Sequence, residues 1–391
     1  GVMITASHNP PRDNGYKVYD HLGAGIIPPM DKEIAQLIKT APMADEIKLA
    51  SGWSEIDITT QYHQRASQLV NNNYGQIKVA FTPMHGVGQD TFDACMKEAG
   101  FNPSINVAEQ TKPDPNFPTV SFPNPEEPGA IDLALAKARE VGADLVIAND
   151  PDADRCAAAV NDPNGGWRML RGDELGVIFG EWIARSHSHG SFGNSIVSSS
   201  ALRKICAHYG INFQEVLTGF KWLAKIEDLA FGYEEAIGYS VDSKTVNDKD
   251  GISAAIFLAQ IASDLAKSGL TLTDLLNEVW GRHGFHGTEQ ISIRVADMSS
   301  IARLLNGLRK SPPSEIAGRA VKSIDDLAAP QDGLPPTDGL RIWLDGDIRI
   351  IVRPSGTEAK MKCYIEVITA TSAESQKLLD EIRGPLKEFL S

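Results

Sequence analysis

The chain has 391 residues, and its 37 Lys and Arg against 51 Asp and Glu give a formal net charge of −14 at pH 7. Hydrophobic residues make up 42% of the chain and charged residues 23%, a composition that excludes an intrinsically disordered protein. The acidic balance argues against a nucleic-acid-binding protein, because no basic stripe is available to neutralise phosphates. At about 100–200 residues per domain, this length predicts two to four domains.

The cysteines and the hydropathy pattern predict a cytoplasmic protein. None of the cysteines at positions 95, 156, 206 and 363 belongs to a CxxC pair, which is typical of reduced thiols rather than of a disulfide framework. No apolar run approaches the ~18 residues that span a membrane. No basic segment precedes a short apolar one, so no secretory signal is predicted. We therefore expect neither a membrane nor a nucleic acid among its partners.

Strand and helix signals alternate along the first half of the chain. Residues 1–5 have the pattern of a strand already under way, which suggests a chain whose upstream part is absent. Prolines between residues 113 and 128 exclude a regular element there. The other elements predicted in this half are helices at Asp31–Thr40, Glu55–Asn72, Asp90–Ala99, Ala130–Glu140 and Glu174–Arg185, and strands at Ile77–Phe81 and Asp144–Ala148.

The second half repeats the alternation and predicts α/β units with mostly parallel sheets covered by helices. Its last part reads as a smaller α+β unit that contains a hairpin. The predicted elements are strands at Ser195–Ser199, Gln290–Val295, Ile342–Asp345, Ile348–Val352 and Cys363–Val367, and helices at Ala201–Tyr209, Gly251–Ser268, Ser299–Arg309 and Ser372–Leu390.

The first loop of unusual chemistry is the stretch Thr-Ala-Ser-His-Asn-Pro-Pro at residues 5–11. Ser7 follows a strand directly, and a serine hydroxyl needs an activating neighbour to serve as a nucleophile. His8 is adjacent, and the Asn-Gly turn at residues 14–15 could bring Lys17 back to the loop. The alternative is a polar turn in which Ser7 only caps a helix.

The second loop is Asp150-Pro-Asp152-Ala-Asp154-Arg155, directly after a predicted buried strand. Three carboxylates at alternate positions repel one another unless a cation lies among them, and hard oxygen ligands suit Mg²⁺ or Ca²⁺. An EF-hand is excluded, because Arg155 stands where its glycine is required. Arg155 could hold a transferring phosphoryl group. A solvated acidic turn and a haloacid-dehalogenase-type phosphatase motif are the alternatives.

Two further loops contain sugar-binding and phosphate-binding side chains. In residues 232–239, Glu234 and Glu235 lie among glycines and tyrosines, a pattern typical of a surface that binds sugar hydroxyls. In residues 353–360, Arg353, a serine, a glycine and a threonine supply donors for a phosphate. A strand-edge loop with surface glutamates and an ordinary hairpin turn, respectively, are the alternatives.

Together the four loops resemble the α-D-phosphohexomutase superfamily, the phosphoglucomutase and phosphomannomutase enzymes, over essentially the whole chain. The T-A-S-H-N-P and D-P-D-A-D-R motifs are the most specific, and G-F-K-W and E-E-A-I-G-Y look most like the phosphoglucomutase and phosphopentomutase-like branch. The resemblance implies that Ser7 is phosphorylated and binds Mg²⁺ together with three aspartates. The implied site residues are Ser7, His8, Lys17 and Arg155 in catalysis, Ser7, Asp150, Asp152 and Asp154 at the metal, and Asn9, Lys221, Glu234, Glu235, Arg353, Ser355, Gly356 and Thr357 at the substrate.

The same resemblance implies four domains around a central cleft, three related mixed-sheet α/β domains with the first truncated, and a C-terminal two-layer α+β domain. The expected boundaries are residues 1–74, 75–190, 191–288 and 289–391. Ala236 stands where many hexomutases have a serine, which affects the expected sugar preference.

The implied activity is transfer of phosphate between C1 and C6 of a glucose or mannose phosphate, through phosphoserine and a sugar 1,6-bisphosphate intermediate. Sugar phosphates are the expected partners, and we expect a monomer or a homodimer. A phosphopentomutase, a phosphatase and a catalytically impaired phosphosugar-binding fragment are the alternative functions.

Overall fold

The structure is a computed structural model that describes residues 1–7, 9, 12–71, 77–162, 165–186, 189–294, 298–355 and 360–390. In this part of the chain the strands form four sheets, with two, five, four and six strands. No helix among the described residues has the length and apolarity needed to cross a bilayer.

The first sheet is a short antiparallel pair that places one candidate cation beside the loop that contains Ser7. Its strands are β1 (Val2–Ile4) and β2 (Tyr16–Val18), and helix α1 (Met30–Ile38) and a 3-10 turn (Ala44–Glu46) follow. Met3 lies opposite Lys17 in the pair, so Lys17 returns to the loop after β1. Apolar side chains are exposed in this region, including Ile4 at 81% and Trp53 at 77%.

The second sheet is mixed, with strand order β4-β3-β5-β6-β7. Its elements are α2 (Thr59–Ser67), β3 (Val79–Thr82), α3 (Gly88–Glu98), β4 (Ile105–Asn106), α4 (Asp132–Val141), β5 (Leu145–Ala148), β6 (Ala157–Asp162) and β7 (Gly166–Met169). β3 pairs in parallel with β4 and β5, and the β5–β6 and β6–β7 pairs are antiparallel. The buried strand β5 ends at Ala148, so the acidic loop begins at the end of a central strand.

The third sheet is also mixed, with order β11-β10-β8-β9. Its elements are α5 (Gly172–Ser186), β8 (Ser191–Ser195), α6 (Ala201–Tyr209), β9 (Asn212–Val216), α7 (Phe220–Leu223), β10 (Leu229–Glu234), β11 (Gly238–Ser240), α8 (Gly251–Lys267) and α9 (Leu272–His283). The second and third sheets share one hydrophobic core, in which Phe81, Phe179 and Tyr239 are fully buried.

The C-terminal sheet is antiparallel throughout, with order β12-β17-β16-β15-β14-β13. Its elements are β12 (Phe285–Arg294), α10 (Met298–Lys310), β13 (Glu315–Ile316), β14 (Arg319–Asp326), β15 (Leu340–Leu344), β16 (Ile348–Pro354), β17 (Lys360–Thr369) and α11 (Ser372–Leu390). It has its own core with α10 and α11. The predicted mixed-sheet units and the C-terminal two-layer unit are thereby confirmed.

Two sequence predictions in the third sheet are wrong. The strand expected at Ser195–Ser199 runs over Ser191–Ser195, and residues 196–200 form a turn. Ile196 and Val197 read as strand residues, but they are buried against Ile351 and Tyr364 of the C-terminal sheet. The expected sugar loop at residues 232–239 is a hairpin of β10 and β11, with Glu234 paired to Gly238.

Candidate active site

Ser7 lies in direct contact with the acidic loop. Its Oγ donates a hydrogen bond to Asp152 Oδ1 at 2.9 Å and lies 3.3 Å from Asp150 Oδ2. Its own N–H donates to Thr5 Oγ1. Ser7 has a φ of +53°, a region that non-glycine residues enter at a cost of about 1–3 kcal/mol and that is concentrated at functional sites. This conformation turns the hydroxyl towards the carboxylates.

The three aspartates form one cluster, and each offers a carboxylate oxygen within 4.8 Å of the others. Asp150 is fully buried. Burial and the two neighbouring carboxylates raise the pKa of Asp150 well above its ordinary value. Asp154 Oδ1 is buried without a hydrogen-bond partner among the described residues. A set of three carboxylates with one unsatisfied buried oxygen fits a hard divalent cation such as Mg²⁺.

Two ammonium groups border this cluster. Lys17 Nζ donates to Asp152 Oδ2 at 2.8 Å and to Asp154 Oδ2 at 2.7 Å. Burial opposes its charge, but the two carboxylates outweigh burial and raise the pKa of Lys17, which keeps it protonated at neutral pH. Lys249 Nζ lies 2.7 Å from the same Asp154 oxygen. Lys249 was not predicted from the sequence, where its only signal is its position beside Asp250, the N-cap of α8.

The acidic loop is held in place by backbone hydrogen bonds from two other segments. Val87 N–H donates to the Pro151 carbonyl at 2.9 Å, and Gly251 N–H donates to the Ala153 carbonyl at 3.1 Å. Gly86 allows this approach, since a Cβ at that position would lie 2.3 Å from Pro151 Cα. The loop geometry therefore depends on two different sheets.

Arg155 extends from the acidic loop into a cavity of about 590 Å³. Its Nε lies 3.9 Å from Asp150 Oδ2 and has no hydrogen-bond partner among the described residues. Glu235 and Ala236 line the same cavity, as do Lys360 and Lys362 of β17. The cavity thus joins the acidic loop, the β10–β11 turn and the C-terminal sheet. Lys362, also missed in the sequence, could be recognised only by its alternation with Lys360 at the start of a strand.

The β10–β11 hairpin carries both predicted glutamates. Glu234 Oε1 accepts a hydrogen bond from Gly219 N–H at 2.5 Å, and this joins the hairpin to the segment that contains Lys221. Glu235 Oε2 accepts from Ser195 Oγ at 3.1 Å and from Ser198 Oγ at 3.3 Å. Burial raises the pKa of both glutamates. A carboxyl in such a position can bind sugar hydroxyl groups.

Lys221 lies in α7 next to Gly25, since a Cβ at Gly25 would be 3.2 Å from Lys221 Cβ. Asn9 is exposed, and its N–H donates to the Ala6 carbonyl at 3.0 Å. Neither side chain is among those that line the cavity. The structure therefore does not bring these two predicted residues to the cavity wall. His8 lies outside the described residues.

The predicted phosphate-binding segment lies at the β16–β17 connection. Arg353 is opposite Lys362 in the strand pair, so two cations face the same end of the sheet. Ser355 is buried, and its N–H donates to the Lys360 carbonyl at 2.8 Å. Gly356 and Thr357 lie outside the described residues. Arg353 and Ser355 are not among the described residues that line the cavity, but Lys362, the strand partner of Arg353, is.

Family models match three consecutive parts of this chain. Phosphoglucomutase/phosphomannomutase α/β/α domain I matches residues 1–45, domain II matches residues 60–166, and domain III matches residues 171–283. Together these ranges cover more than half of the chain. The chain therefore belongs to the phosphoglucomutase/phosphomannomutase family, within the α-D-phosphohexomutase superfamily, and is an enzyme of the phosphosugar mutase class.

Three curated relatives support this assignment. The chain is 40% identical to the "Probable phosphomannomutase" of Haemophilus influenzae, over 100% of this chain and 82% of that protein. It is 34% identical to the phosphopentomutase of Homo sapiens, over 99% of this chain and 72% of that protein. It is 33% identical to the glucose 1,6-bisphosphate synthase of Homo sapiens, over 97% and 69% of the respective chains.

Solved structures share the fold at lower identity. A phosphoglucomutase/phosphomannomutase family protein from Burkholderia thailandensis matches with a TM-score of 0.75 and 19% identity, over 99% of this chain and 76% of that one. The N-acetylphosphoglucosamine mutase of Aspergillus fumigatus, in complex with GlcNAc-6P and magnesium, matches with a TM-score of 0.62 and 14% identity, over 100% and 89% of the chains. These likenesses establish the architecture.

Proposed function

We propose that this enzyme moves phosphate between C1 and C6 of a hexose, glucose or mannose, through phosphoserine at Ser7 and a sugar 1,6-bisphosphate intermediate. The observation that carries the proposal is the 2.9 Å hydrogen bond between Ser7 Oγ and Asp152. It brings a hydroxyl nucleophile to a carboxylate cluster that fits Mg²⁺. The two residues are separated by 145 positions in the sequence.

The charges around Ser7 suit a phosphoenzyme. A phosphoserine carries about −1.5 to −2 charges, and Asp150, Asp152 and Asp154 would hold Mg²⁺ beside it. When bound there, Mg²⁺ would neutralise charge on the phosphoryl oxygens. Lys17 adds a permanent positive charge at the same place. Catalysis of phosphoryl transfer rests mainly on such positioning and electrostatics.

Each half-reaction transfers one phosphoryl group. The P–O bond to Ser7 Oγ breaks while a new P–O bond forms to the free hydroxyl of the sugar phosphate, and the hydroxyl proton leaves to a base. Ser7 recovers a phosphoryl group when the bisphosphate returns its other one, in the same steps reversed. Arg155, at the cavity wall beside the carboxylates, would bind the transferring group, and Glu234 and Glu235 would bind sugar hydroxyls.

The other phosphate of the substrate would bind at the β16–β17 connection. We assign Arg353, Ser355, Gly356 and Thr357 to this site, as the sequence predicts. The nearby Lys362, whose pKa is lowered by burial, adds a further cation. A bisphosphate that binds in two orientations requires one such site able to accept either end.

The proposal is tested with the chain, Mg²⁺, glucose 1-phosphate and a trace of glucose 1,6-bisphosphate. Glucose 6-phosphate should accumulate, and Ser7→Ala should lower turnover by roughly three orders of magnitude or more. Ser67→Ala is the matched control, since Ser67 lies at the end of α2, where its Oγ donates to the Gln64 carbonyl of the same helix at 2.8 Å. Release of inorganic phosphate by an active Ser7→Ala variant would instead identify a phosphatase.

A phosphopentomutase is the second candidate, and the 34% identity to human phosphopentomutase favours it. Its reaction uses the same serine, metal and phosphate sites on a shorter sugar. Comparison of kcat/KM for ribose 1-phosphate, mannose 1-phosphate and glucose 1-phosphate separates the candidates. A preference for the pentose by tenfold or more would replace the hexose assignment.

A further inference from the structure

A buried polar network connects the C-terminal sheet to residues 195–200, here called the serine loop. Glu366 of β17 and Arg349 of β16 are 3% and 4% exposed. Arg349 Nη2 lies 2.9 Å from Glu366 Oε2. Glu366 Oε1 accepts from Ser199 Oγ at 2.8 Å and from Ser200 N–H at 2.7 Å. One carboxylate therefore binds both the sheet and the loop.

Arg349 contacts the serine loop as well. Its Nη1 donates to the Ile196 carbonyl at 3.1 Å and its Nη2 donates to the Ser198 carbonyl. Burial disfavours ionisation of Glu366, but Arg349 and the hydrogen bonds outweigh burial and lower the pKa of Glu366. Both groups are therefore charged in the folded protein. A buried pair of charges with this many hydrogen bonds fixes the geometry of what it binds.

The other side of the serine loop holds Glu235. Ser195 Oγ and Ser198 Oγ both donate to Glu235 Oε2, and Glu235 N–H donates to Ser198 Oγ at 3.0 Å. The two serine Oγ atoms lie 2.9 Å apart. Glu235 itself lines the cavity described above.

The same face of the sheet carries the phosphate-site residues. In the β16–β17 pair, Arg349 is opposite Glu366, Ile351 is opposite Tyr364, and Arg353 is opposite Lys362. Alternate residues of a strand share one face, so these three pairs form a row about 13 Å long. Ile351 and Tyr364, the middle pair, pack against the serine loop. The β16–β17 pair thus contacts the serine loop that holds Glu235 at one end and carries the phosphate-site residue Arg353 at the other.

We propose that Arg349 and Glu366 are positioning residues that act through the serine loop to hold Glu235 at a fixed place relative to the phosphate site. This inference rests on the proposed function, because it assigns Glu235 to sugar-phosphate binding. Neither residue touches the substrate in this scheme. Their effect on turnover passes through the orientation of Glu235.

A double-mutant cycle of Glu366→Gln and Glu235→Gln tests the inference. Loss of a charged hydrogen bond should lower kcat/KM about tenfold in each single variant. If Glu366 acts through Glu235, the double variant should lose little more than about tenfold. Independent effects would multiply to about a hundredfold, and that result would overturn the inference.

A replacement variant and a control variant keep the cycle decisive. Glu366→Gln removes the nearer carboxylate partner of the buried Arg349 and leaves Glu215 at 3.6 Å, a loss that can prevent folding. In that case Arg349→Lys replaces it in the cycle, because lysine keeps the positive charge but cannot donate to both loop carbonyls. Asp326→Asn, which removes a partner of Arg309 within the C-terminal sheet unit, is the matched control and should leave kcat/KM within about twofold.

The wild type, the two single variants and the double variant are also titrated calorimetrically with glucose 1,6-bisphosphate. Dissociation constants should show the same non-additivity as kcat/KM. A wild-type chain that binds the bisphosphate but does not interconvert sugar phosphates would overturn the proposed function, and the binding cycle would still decide the positioning role. Additive changes in the dissociation constants, or no binding by the wild type, would overturn that role.

Discussion

Removal of one charge from the acidic cluster should stabilise the folded chain in the absence of metal and remove the stabilisation that Mg²⁺ gives. In Asp150→Asn, the fully buried carboxylate at the start of the loop becomes a neutral amide of the same shape. Its oxygen can still accept the 2.9 Å hydrogen bond from Arg155 N–H. The substitution therefore changes charge with little change in packing.

The magnitude follows from the distances. At the upper limit of their separation, 4.8 Å, carboxylate oxygens repel by about 3.5 kcal/mol at an effective dielectric constant near 20. Asp150 has two such neighbours, so its charge meets about 7 kcal/mol of repulsion. Attraction to the Arg155 guanidinium, whose Nε lies 3.9 Å from Asp150 Oδ2, offsets about 4 kcal/mol of this repulsion. Without metal, Asp150→Asn should therefore stabilise the folded chain by about 3 kcal/mol.

Thermal unfolding in chelator and in excess Mg²⁺ measures both effects. Wild type should gain about 2.7 kcal/mol at a Mg²⁺ concentration one hundred times its dissociation constant. Asp150→Asn should unfold at a higher temperature than wild type in chelator and gain almost nothing from Mg²⁺. Asp380→Asn is the control, because that side chain is 53% exposed and its loss should matter by less than about 0.5 kcal/mol. A variant that is destabilised in chelator, or that keeps the Mg²⁺ shift, would refute the reasoning.

Two other predictions concern residues that support the site. Burial raises the pKa of Asp173 to about 6. Its contribution to the free energy of unfolding is therefore fully present below its unfolded pKa near 4 and is lost as pH rises through 6. The loss is on the order of 3 kcal/mol. Denaturation of wild type and Asp173→Asn between pH 4 and 7 should show this difference, and a pH-independent difference would contradict it. Gly86→Ala forces a Cβ to 2.3 Å from Pro151 and should reduce turnover at least tenfold. Gly281→Ala, a helical position with open space around its Cβ, should leave turnover unchanged and add up to about 1 kcal/mol; equal activities of the two variants would argue against the clash.

Local patterns predicted most of the longer helices because their determinants are local, although α9 (Leu272–His283) was not predicted. The predicted helix at Ala201–Tyr209 matches α6, whose amphipathic pattern ends at Gly210 in the left-handed region, with a φ of +70°. The C-terminal helix has the predicted bounds of α11. The strand at residues 191–195 was misplaced because its pairing with β9 and β10 is long-range. Nothing near Ile196 in the sequence indicates that the C-terminal sheet covers it.

The candidate site was predictable to the extent that its chemistry lies in short motifs. Ser7 lies in one short motif and the three aspartates lie in another. The structure brings these two motifs together. Lys249 was missed because it is a single lysine in a charged segment, and its proximity to Asp154 depends on the third sheet packing against the second. Arg349 and Glu366 read as ordinary strand residues, and only their burial against the serine loop gives them a possible role.

Backbone strain indicates how these loops are held together. Ser7, Ala153 and Ile237 have φ values of +53°, +57° and +54°, and each is a non-glycine residue in one of three different loops of the site. Such conformations persist only where surrounding contacts compensate for them. Here the contacts cross between sheets, because Cys156 N–H donates to the Ile237 carbonyl at 3.0 Å and Gly251 N–H donates to the Ala153 carbonyl. The strained loop conformations are therefore a consequence of domain packing, and a change at one of these interfaces should alter the geometry of the metal and sugar loops together.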